Sequence, residues 1–236
     1  WSQLVESLRS TFSNFFNFNE SSRKLTIAVE GNIGSGKTEL LKYFENSPLV
    51  QTYIEPVNKW RNIRGENALK LMYEDPSRWA LTFQTYVQLT MLETHIEKQK
   101  KPVKLMERSI YSARYCFVDN LHKKGHMPDI EYVVLNRWFE WIISNMDCHL
   151  DLIVYLQTNP ETVHERIKKR CRREEEAIPL DYLTALHNLH EEWLVKKTSY
   201  AVPCPVLVLD GNKNLQDMHR IYENNRSQIL CGCEDS

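Results

Sequence analysis

The 236-residue sequence has 30 basic and 31 acidic residues and a formal net charge of -1. This balance argues against a surface built to coat nucleic acid, and no apolar run approaches the roughly 20 residues that cross a bilayer. The length suits one α/β domain, and we expect it to bind neither nucleic acid nor a membrane; the cysteines described next indicate an intracellular protein.

The cysteines and histidines give little indication of a metal site. The six cysteines form no C-x-x-C pair and no regular framework, so neither a zinc site nor a disulfide scaffold is indicated, and reduced thiols are expected. His187 and His190 lie three residues apart on a predicted helix and resemble a metal pair, although the spacing suggests no third ligand. The alternative is that both lie on the surface of an amphipathic helix.

Three segments are predicted along the chain. Residues 1–22 carry apolar side chains at helical spacing, and we interpret them as an N-terminal leader. Glu6 and Glu20 argue against a remnant of a targeting segment, so a short capping helix or a disordered leader stays open. A single folded domain is predicted over 23–230, and 231–236 form a polar tail.

The first predicted strand, 25–30, leads into a glycine-rich loop. Its sequence is Gly31-Asn32-Ile33-Gly34-Ser35-Gly36-Lys37-Thr38, which fits the Walker A pattern at every fixed position and precedes a predicted helix. Such a loop directs backbone N–H groups at phosphate oxygens, while Lys37 reaches the outer phosphates and Thr38 holds Mg²⁺. The alternative is a glycine-rich turn before an ordinary helix. We predict a site for ATP and Mg²⁺.

Charged residues follow two further predicted strands. Strand 50–54 ends at Glu55, which Pro56 restrains to extended geometry, and the third strand ends in Glu107 and Arg108. We interpret Glu55 as an unpaired general base, Arg108 as the cation that stabilises a transferred phosphoryl group, and Glu107 as a Mg²⁺ ligand through water. The alternatives are a solvated glutamate and an ordinary ion pair at a strand end.

A long helix predicted over 77–99 offers a slot for a flat ligand. Phe83, Val87 and Met91 follow one another at four-residue steps on one face, and Gln84 lies at its edge. An apolar slot with one amide suits a nucleobase, and by flipping the amide can pair with thymine or cytosine. Core packing is the alternative interpretation of the three apolar residues.

The basic segment 166–173 is the candidate for a mobile cover. Its cations recur at helical spacing and lead into an acidic stretch. We interpret it as a lid whose arginines close over ATP, with Arg170 and Arg172 as the best candidates. The alternative is a solvated charged face of a helix.

The remaining elements complete a parallel sheet. Strands are predicted over 25–30, 50–54, 103–106, 152–156 and 206–209, a loop at Trp60 and Arg61, and helices over 67–73, 110–121 and 180–197, with others ending near 146, beginning at 160 and closing the chain. Helices between apolar strands predict an open α/β sheet covered on both faces, and the ligand is expected beyond the carboxyl ends of the strands.

Taken together, these motifs resemble the deoxyribonucleoside kinase family over residues 25–229. Besides the phosphate loop, the matching blocks are Glu55-Pro56-Val57, Lys59 to Asn62, Leu71-Met72-Tyr73, Phe83 to Val87, Met106 to Ser109, Ser112 to Tyr115 and the 166–175 lid. The resemblance implies a P-loop kinase fold, five parallel strands with an Arg-rich lid, and ATP-dependent phosphorylation of the 5′-hydroxyl of deoxynucleosides for salvage of DNA precursors. Glu55 would be the base, with Arg108 beside it.

The resemblance also assigns the substrate contacts. Gln84 would pair with the base, Tyr73 and Glu175 would meet the sugar 3′-hydroxyl, and Ala113 matches members that favour pyrimidines, so thymidine and deoxycytidine are the expected substrates. The complete set of predicted substrate residues is Trp60, Met72, Tyr73, Phe83, Gln84, Val87, Met91, Arg108, Ala113, Phe117 and Glu175.

Further properties of the family are carried as expectations. They are a homodimer formed through helices and inhibition by deoxynucleoside triphosphates, while the mitochondrion, the cytosol and the nucleus all stay open as compartments. Glu39 and Gln157 depart from the family pattern, and altered rate or stability is expected from them. The rival interpretations are a nucleoside monophosphate kinase and a non-catalytic nucleotide-binding subunit; a GTPase is disfavoured because no N-K-x-D motif occurs.

Overall fold

A computed structural model describes residues 24–170 and 178–233. The strands are β1 Leu25–Glu30, β2 Val50–Tyr53, β3 Val103–Glu107, β4 Leu152–Gln157 and β5 Val206–Asp210. The helices are α1 Lys37–Phe44, α2 Val57–Arg61, α3 Ala68–Glu74, α4 Pro76–Ile96, α5 Ile110–Ser112, α6 Asp119–Lys123, α7 Asp129–Asn145, α8 Pro160–Arg170, α9 Leu180–His190, α10 Leu215–Asn224 and α11 Arg226–Ile229. Two π-helical turns, Ala113–Val118 and Glu191–Val195, join or extend these helices.

The five strands form one parallel sheet in the order β2-β3-β1-β4-β5. Val29 pairs with Glu107, and Tyr53 pairs with Met106, so the carboxyl ends of β1, β2 and β3 lie side by side. Helices cover both faces, and β4 is buried along almost its whole length, as its continuous apolar sequence predicts. The predicted α/β fold is confirmed.

Helix α4 is fixed to the sheet by polar contacts near its carboxyl end. The buried Lys104 ammonium on β3 donates to the carbonyl oxygens of His95 and Glu97, at 2.8 and 2.7 Å. The ring of His95 accepts from the Ile110 N–H through Nε2 at 3.2 Å. Burial, and then the nearby Lys104 charge, lower the pKa of His95 to about 4, which keeps the ring neutral and able to accept.

Several predicted boundaries differ from the structure. Trp60 and Arg61 lie in the short helix α2 rather than in a loop, because burial of the indole stabilises a helix too short to form alone. Helix α4 begins one residue earlier than predicted, at Pro76, where the Asp75 carboxylate caps it. His190 is fully buried rather than on the surface, with Nδ1 2.7 Å from the Leu186 carbonyl oxygen.

The two family departures lie near the ends of β4 and α1. Gln157 donates from Nε2 to both carboxylate oxygens of Glu191, at 2.9 and 3.0 Å, whereas Glu39 forms an exposed ion pair with Lys42. No helix in the two described ranges is long and apolar enough to serve as a membrane span. The predicted leader over 1–22 lies outside the described residues.

Candidate active site

The phosphate loop joins β1 to α1 and has the backbone geometry of an anion cradle. Gly34 and Gly36 have φ values of 78° and 101°, in the left-handed region. A Cβ atom at Gly34 would come within 3.1 Å of the Val163 carbonyl oxygen, whereas a Cβ at Gly36 would meet no described atom within 4 Å. The loop therefore has open space beside the amino end of α1, where a phosphate group fits.

Lys37 lies buried across this loop. Its ammonium donates to the carbonyl oxygens of Asn32 at 2.7 Å and Gly31 at 3.2 Å. Burial and the Arg108 charge lower the pKa of Lys37 to about 7, although neighbouring carboxylates oppose this effect. An anionic phosphate would favour the protonated ammonium, so the loop and the lysine fit a nucleoside triphosphate.

Glu55 and Arg108 form a nearly buried ion pair between the ends of β2 and β3. Arg108 Nη1 donates to Glu55 Oε2 at 2.6 Å. The prediction that Glu55 is unpaired was wrong, because neighbouring strands bring both residues to the same edge of the sheet. Burial alone would lower the pKa of Arg108, but the carboxylates of Glu55, Glu107 and Glu30 raise it overall. The guanidinium therefore stays charged.

Glu107 connects the phosphate loop to the end of β2. Its Oε1 atom accepts from the Thr38 hydroxyl at 2.8 Å, and its Oε2 atom lies 3.4 Å from the Glu55 N–H. A hydroxyl and a carboxylate are the hard oxygen donors that Mg²⁺ accepts, with water and substrate phosphates completing its shell. Thr38 and Glu107 thus fit the predicted metal. Within the described ranges, no cluster of three or more His, Cys, Asp or Glu side chains is placed to hold a metal ion.

The predicted base slot lies in the same cavity. Gln84 is buried, and its Oε1 atom has no hydrogen-bond partner among the described residues. Trp60 lies edge-on to Phe83 with 5.7 Å between ring centroids, and its Nε1 donates to the Thr90 hydroxyl at 2.9 Å. Since a buried acceptor without a partner is costly, the amide is suited to a ligand with a hydrogen-bond donor.

The cavity brings most of the predicted site residues together. Those lining it are Ile33, Gly34, Lys37, Thr38, Glu55, Trp60, Met72, Tyr73, Phe83, Gln84, Val87, Met91, Glu107, Arg108, Ala113, Phe117 and Arg170. Gly31, Asn32, Ser35 and Gly36 belong to the loop but do not line this cavity. Arg172 and Glu175 lie outside the described residues.

Sequence reasoning missed several lining residues, of which Tyr182 is the least expected. It lies in the first turn of α9, and its ring meets Tyr73 edge-on with 6.5 Å between centroids. No sequence motif includes it. The other lining residues that were not assigned to the site are Ile54, Val57, Asn58, Arg61, Leu69 and Ser109. Val57, Arg61 and Ser109 lie inside sequence blocks that match the family, and the other three lie close to such blocks.

Comparisons with known proteins show the family of the chain. The family model described as deoxynucleoside kinase matches residues 27–230. Mitochondrial thymidine kinase 2 of Homo sapiens is 56% identical over 211 residues, covering 89% of this chain and 80% of the relative. Deoxycytidine kinase 2 of Gallus gallus is 36% identical, covering 81% and 83%, and mitochondrial deoxyguanosine kinase of Xenopus laevis is 34% identical, covering 92% of each. The chain therefore belongs to the deoxynucleoside kinase family, whose members phosphorylate deoxynucleosides with ATP in nucleotide salvage.

Proposed function

We propose that this kinase transfers the γ-phosphoryl group of ATP to the 5′-hydroxyl of thymidine and deoxycytidine, with purine deoxynucleosides as weaker substrates. The observation that carries the proposal is one cavity whose wall includes Gln84 at one place and Glu55, Arg108 and Lys37 at another. The small Ala113 side chain beside the slot leaves no charged group there to pair with a purine. The 56% identity to a thymidine kinase supports the same preference.

In the proposed reaction, Glu55 removes the proton from the 5′-hydroxyl as that oxygen attacks the γ-phosphorus. The bond from phosphorus to the β,γ-bridging oxygen breaks, and ADP leaves. Arg108 already holds Glu55 in place at 2.6 Å, and its Nε atom is buried without a partner among the described residues. The guanidinium can therefore orient the base and also stabilise negative charge on the transferred group.

Mg²⁺ is part of the proposal, with Thr38 and Glu107 as the residues that would hold it. The ion would neutralise charge on the phosphate oxygens. Lys37 would exchange its two loop carbonyl partners for phosphate oxygens. Arg170 lines the cavity from the end of α8 and is proposed to contact ATP, and Arg172 is assigned the same role by sequence alone. Tyr73, with Glu175, would bind the sugar 3′-hydroxyl.

The substrate assignment is tested by measuring ADP release from ATP and Mg²⁺ with a series of acceptors. We expect turnover with thymidine and deoxycytidine and less with deoxyadenosine, because the slot offers an apolar wall and one amide. Thymidine monophosphate should give none, because it has no free 5′-hydroxyl. Turnover with the monophosphate alone would instead identify a nucleoside monophosphate kinase. No turnover with any acceptor would identify a non-catalytic nucleotide-binding protein.

In the same assay, Glu55→Gln should lower kcat at least about 100-fold, because the amide keeps the shape but cannot accept the hydroxyl proton. The KM for thymidine should change far less. Glu45→Gln, an exposed carboxylate at the end of α1, is the matched control and should retain parental kcat. Near-parental kcat in Glu55→Gln would exclude Glu55 as the base.

We infer that deoxynucleoside triphosphates inhibit the enzyme by placing their base against Gln84 and their phosphates at the loop, since both line one cavity.

Gln84→Leu should raise the KM for thymidine and deoxycytidine about 10- to 100-fold, because the leucine offers no hydrogen bond. Inhibition by thymidine triphosphate should weaken by a similar factor. Gln88→Leu, a buried amide one turn further along α4 that does not line the cavity, should leave both constants unchanged; equal effects in the two variants would argue against base pairing by Gln84.

A second copy of the chain is the proposed partner of α7. This helix exposes an apolar stripe at helical spacing, in which Ile130 and Trp138 are 70% and 58% exposed and Val134 and Trp141 lie beside them. Exposed apolar stripes of this kind are typical of interfaces.

Trp138→Glu should convert a dimer into a monomer in sedimentation equilibrium at micromolar concentration, because a charge would be buried in the interface. Leu215→Glu, at an exposed apolar position on α10, should remain dimeric. A monomeric parent, or a dimeric Trp138→Glu variant, would exclude this interface.

For the compartment we propose the mitochondrion, from the name of the 56% identical relative alone. Fractionation of cells expressing the protein would decide among mitochondrion, cytosol and nucleus.

A further inference from the structure

The backbone turn after β3 is held in an unusual conformation. Arg108 has a φ of 62°, in the left-handed region where the Cβ of a residue other than glycine is crowded. This turn aims the guanidinium at Glu55 and at the Gly31 carbonyl oxygen, with N–O distances of 2.6 and 3.3 Å. A strained conformation persists only when surrounding contacts hold it.

The contacts that hold the turn come from the end of β1. The Arg108 N–H donates to the Val29 carbonyl oxygen at 2.9 Å. The next residue, Ser109, donates its hydroxyl to Glu30 Oε1 at 2.6 Å. Both Glu30 and Ser109 are fully buried. A short hydrogen bond therefore joins Ser109, the residue after Arg108, to Glu30, the residue before the phosphate loop.

Glu30 is an unusual choice for this position if its role were only to fill space. Its second oxygen, Oε2, is buried without a hydrogen-bond partner among the described residues. Burial raises the pKa of the Glu30 carboxyl to about 7, against the lowering effects of the Ser109 hydroxyl and of the Arg108 and Lys37 charges. A buried carboxyl group with one oxygen unpartnered destabilises a fold, so its presence here indicates a role that an apolar side chain could not fulfil.

We propose that Glu30 and Ser109 are positioning residues, whose buried hydrogen bond holds Arg108 in its left-handed conformation and so directs the guanidinium at Glu55 and at the transferred phosphoryl group. The proposal rests on the proposed functions of Glu55 and Arg108. Neither Glu30 nor Ser109 needs to contact the reacting atoms. Their effect passes through the backbone of one residue.

Steady-state kinetics separate this role from simple packing. Ser109→Ala should lower kcat about 10- to 100-fold, because a misdirected guanidinium loses its alignment with the reacting group. The KM values for thymidine and ATP should stay within about twofold, since the base slot and the phosphate loop are unchanged. Glu30→Leu, which removes the acceptor, should show the same loss, whereas Glu30→Gln retains an acceptor oxygen and should lose less than either.

A double-mutant cycle tests whether the two residues act as one unit. Glu30→Leu combined with Ser109→Ala should lower kcat no further than either single change. Ser47→Ala removes a buried hydroxyl that accepts from the Leu49 N–H at the opposite end of the sheet and should keep parental kcat. Ser109→Cys keeps a side-chain donor that is weaker and slightly larger and should also lower kcat, which provides a second comparison if the alanine variant does not accumulate.

Amide hydrogen exchange measures the turn without reference to the reaction. Ser109→Ala should speed exchange of the Arg108 N–H while the β4 amides stay protected. Unchanged exchange, or parental kcat in Ser109→Ala, would overturn the proposal, as would strictly multiplicative losses in the double variant. These results are distinct from failure of the proposed function, which would appear as parental kcat in Glu55→Gln or as a parent enzyme without deoxynucleoside turnover.

Discussion

The ion pair between Glu55 and Arg108 is the interaction on which the site depends. It exists because β2 and β3 are parallel neighbours, so that both strands end at the same edge of the sheet. The pair is almost excluded from water, where electrostatic interactions are stronger than at the surface. Such a pair stabilises little by itself, because desolvation offsets most of the attraction. Under the proposed function, its value is that Glu55, the proposed base, and the Arg108 cation are held together before the substrates bind.

The pair lies in a cluster of two cations and three carboxylates. Lys37 and Arg108 lie among Glu30, Glu55 and Glu107, and each of these carboxylates raises the pKa of both cations. Phosphates entering the loop would add negative charge beside Lys37 and favour its protonated form. A phosphate ligand would thus stabilise the protonated form of the lysine that it contacts. The ends of β2 and β3 supply Glu55, Glu107 and Arg108.

The sequence predicts the phosphate loop, the five strands and the carboxylates at their ends because each depends on local pattern. The loop needs glycines at fixed positions, and a buried parallel strand needs a continuous apolar run. Ion pairs between residues on different strands depend on the strand order, which local pattern does not determine. The expectation of an unpaired Glu55 was wrong for that reason. Trp60 was assigned to a loop because its helix is stabilised only by tertiary burial, and Tyr182 carried no local signal. The individual site assignments remain predictions.

One consequence follows from the way β3 is bound to α4. Strand β3 carries Lys104, which holds the carboxyl end of the helix that presents Gln84, and Arg108 follows directly after the strand beside Glu55. His95 joins that helix to Ile110, three residues beyond the strand. Under the proposed function, these contacts and the pairing of β2 with β3 fix the distance between the Gln84 amide and the Glu55 carboxylate. An acceptor whose hydroxyl lies nearer to its base than a nucleoside's would then occupy the slot without reaching Glu55.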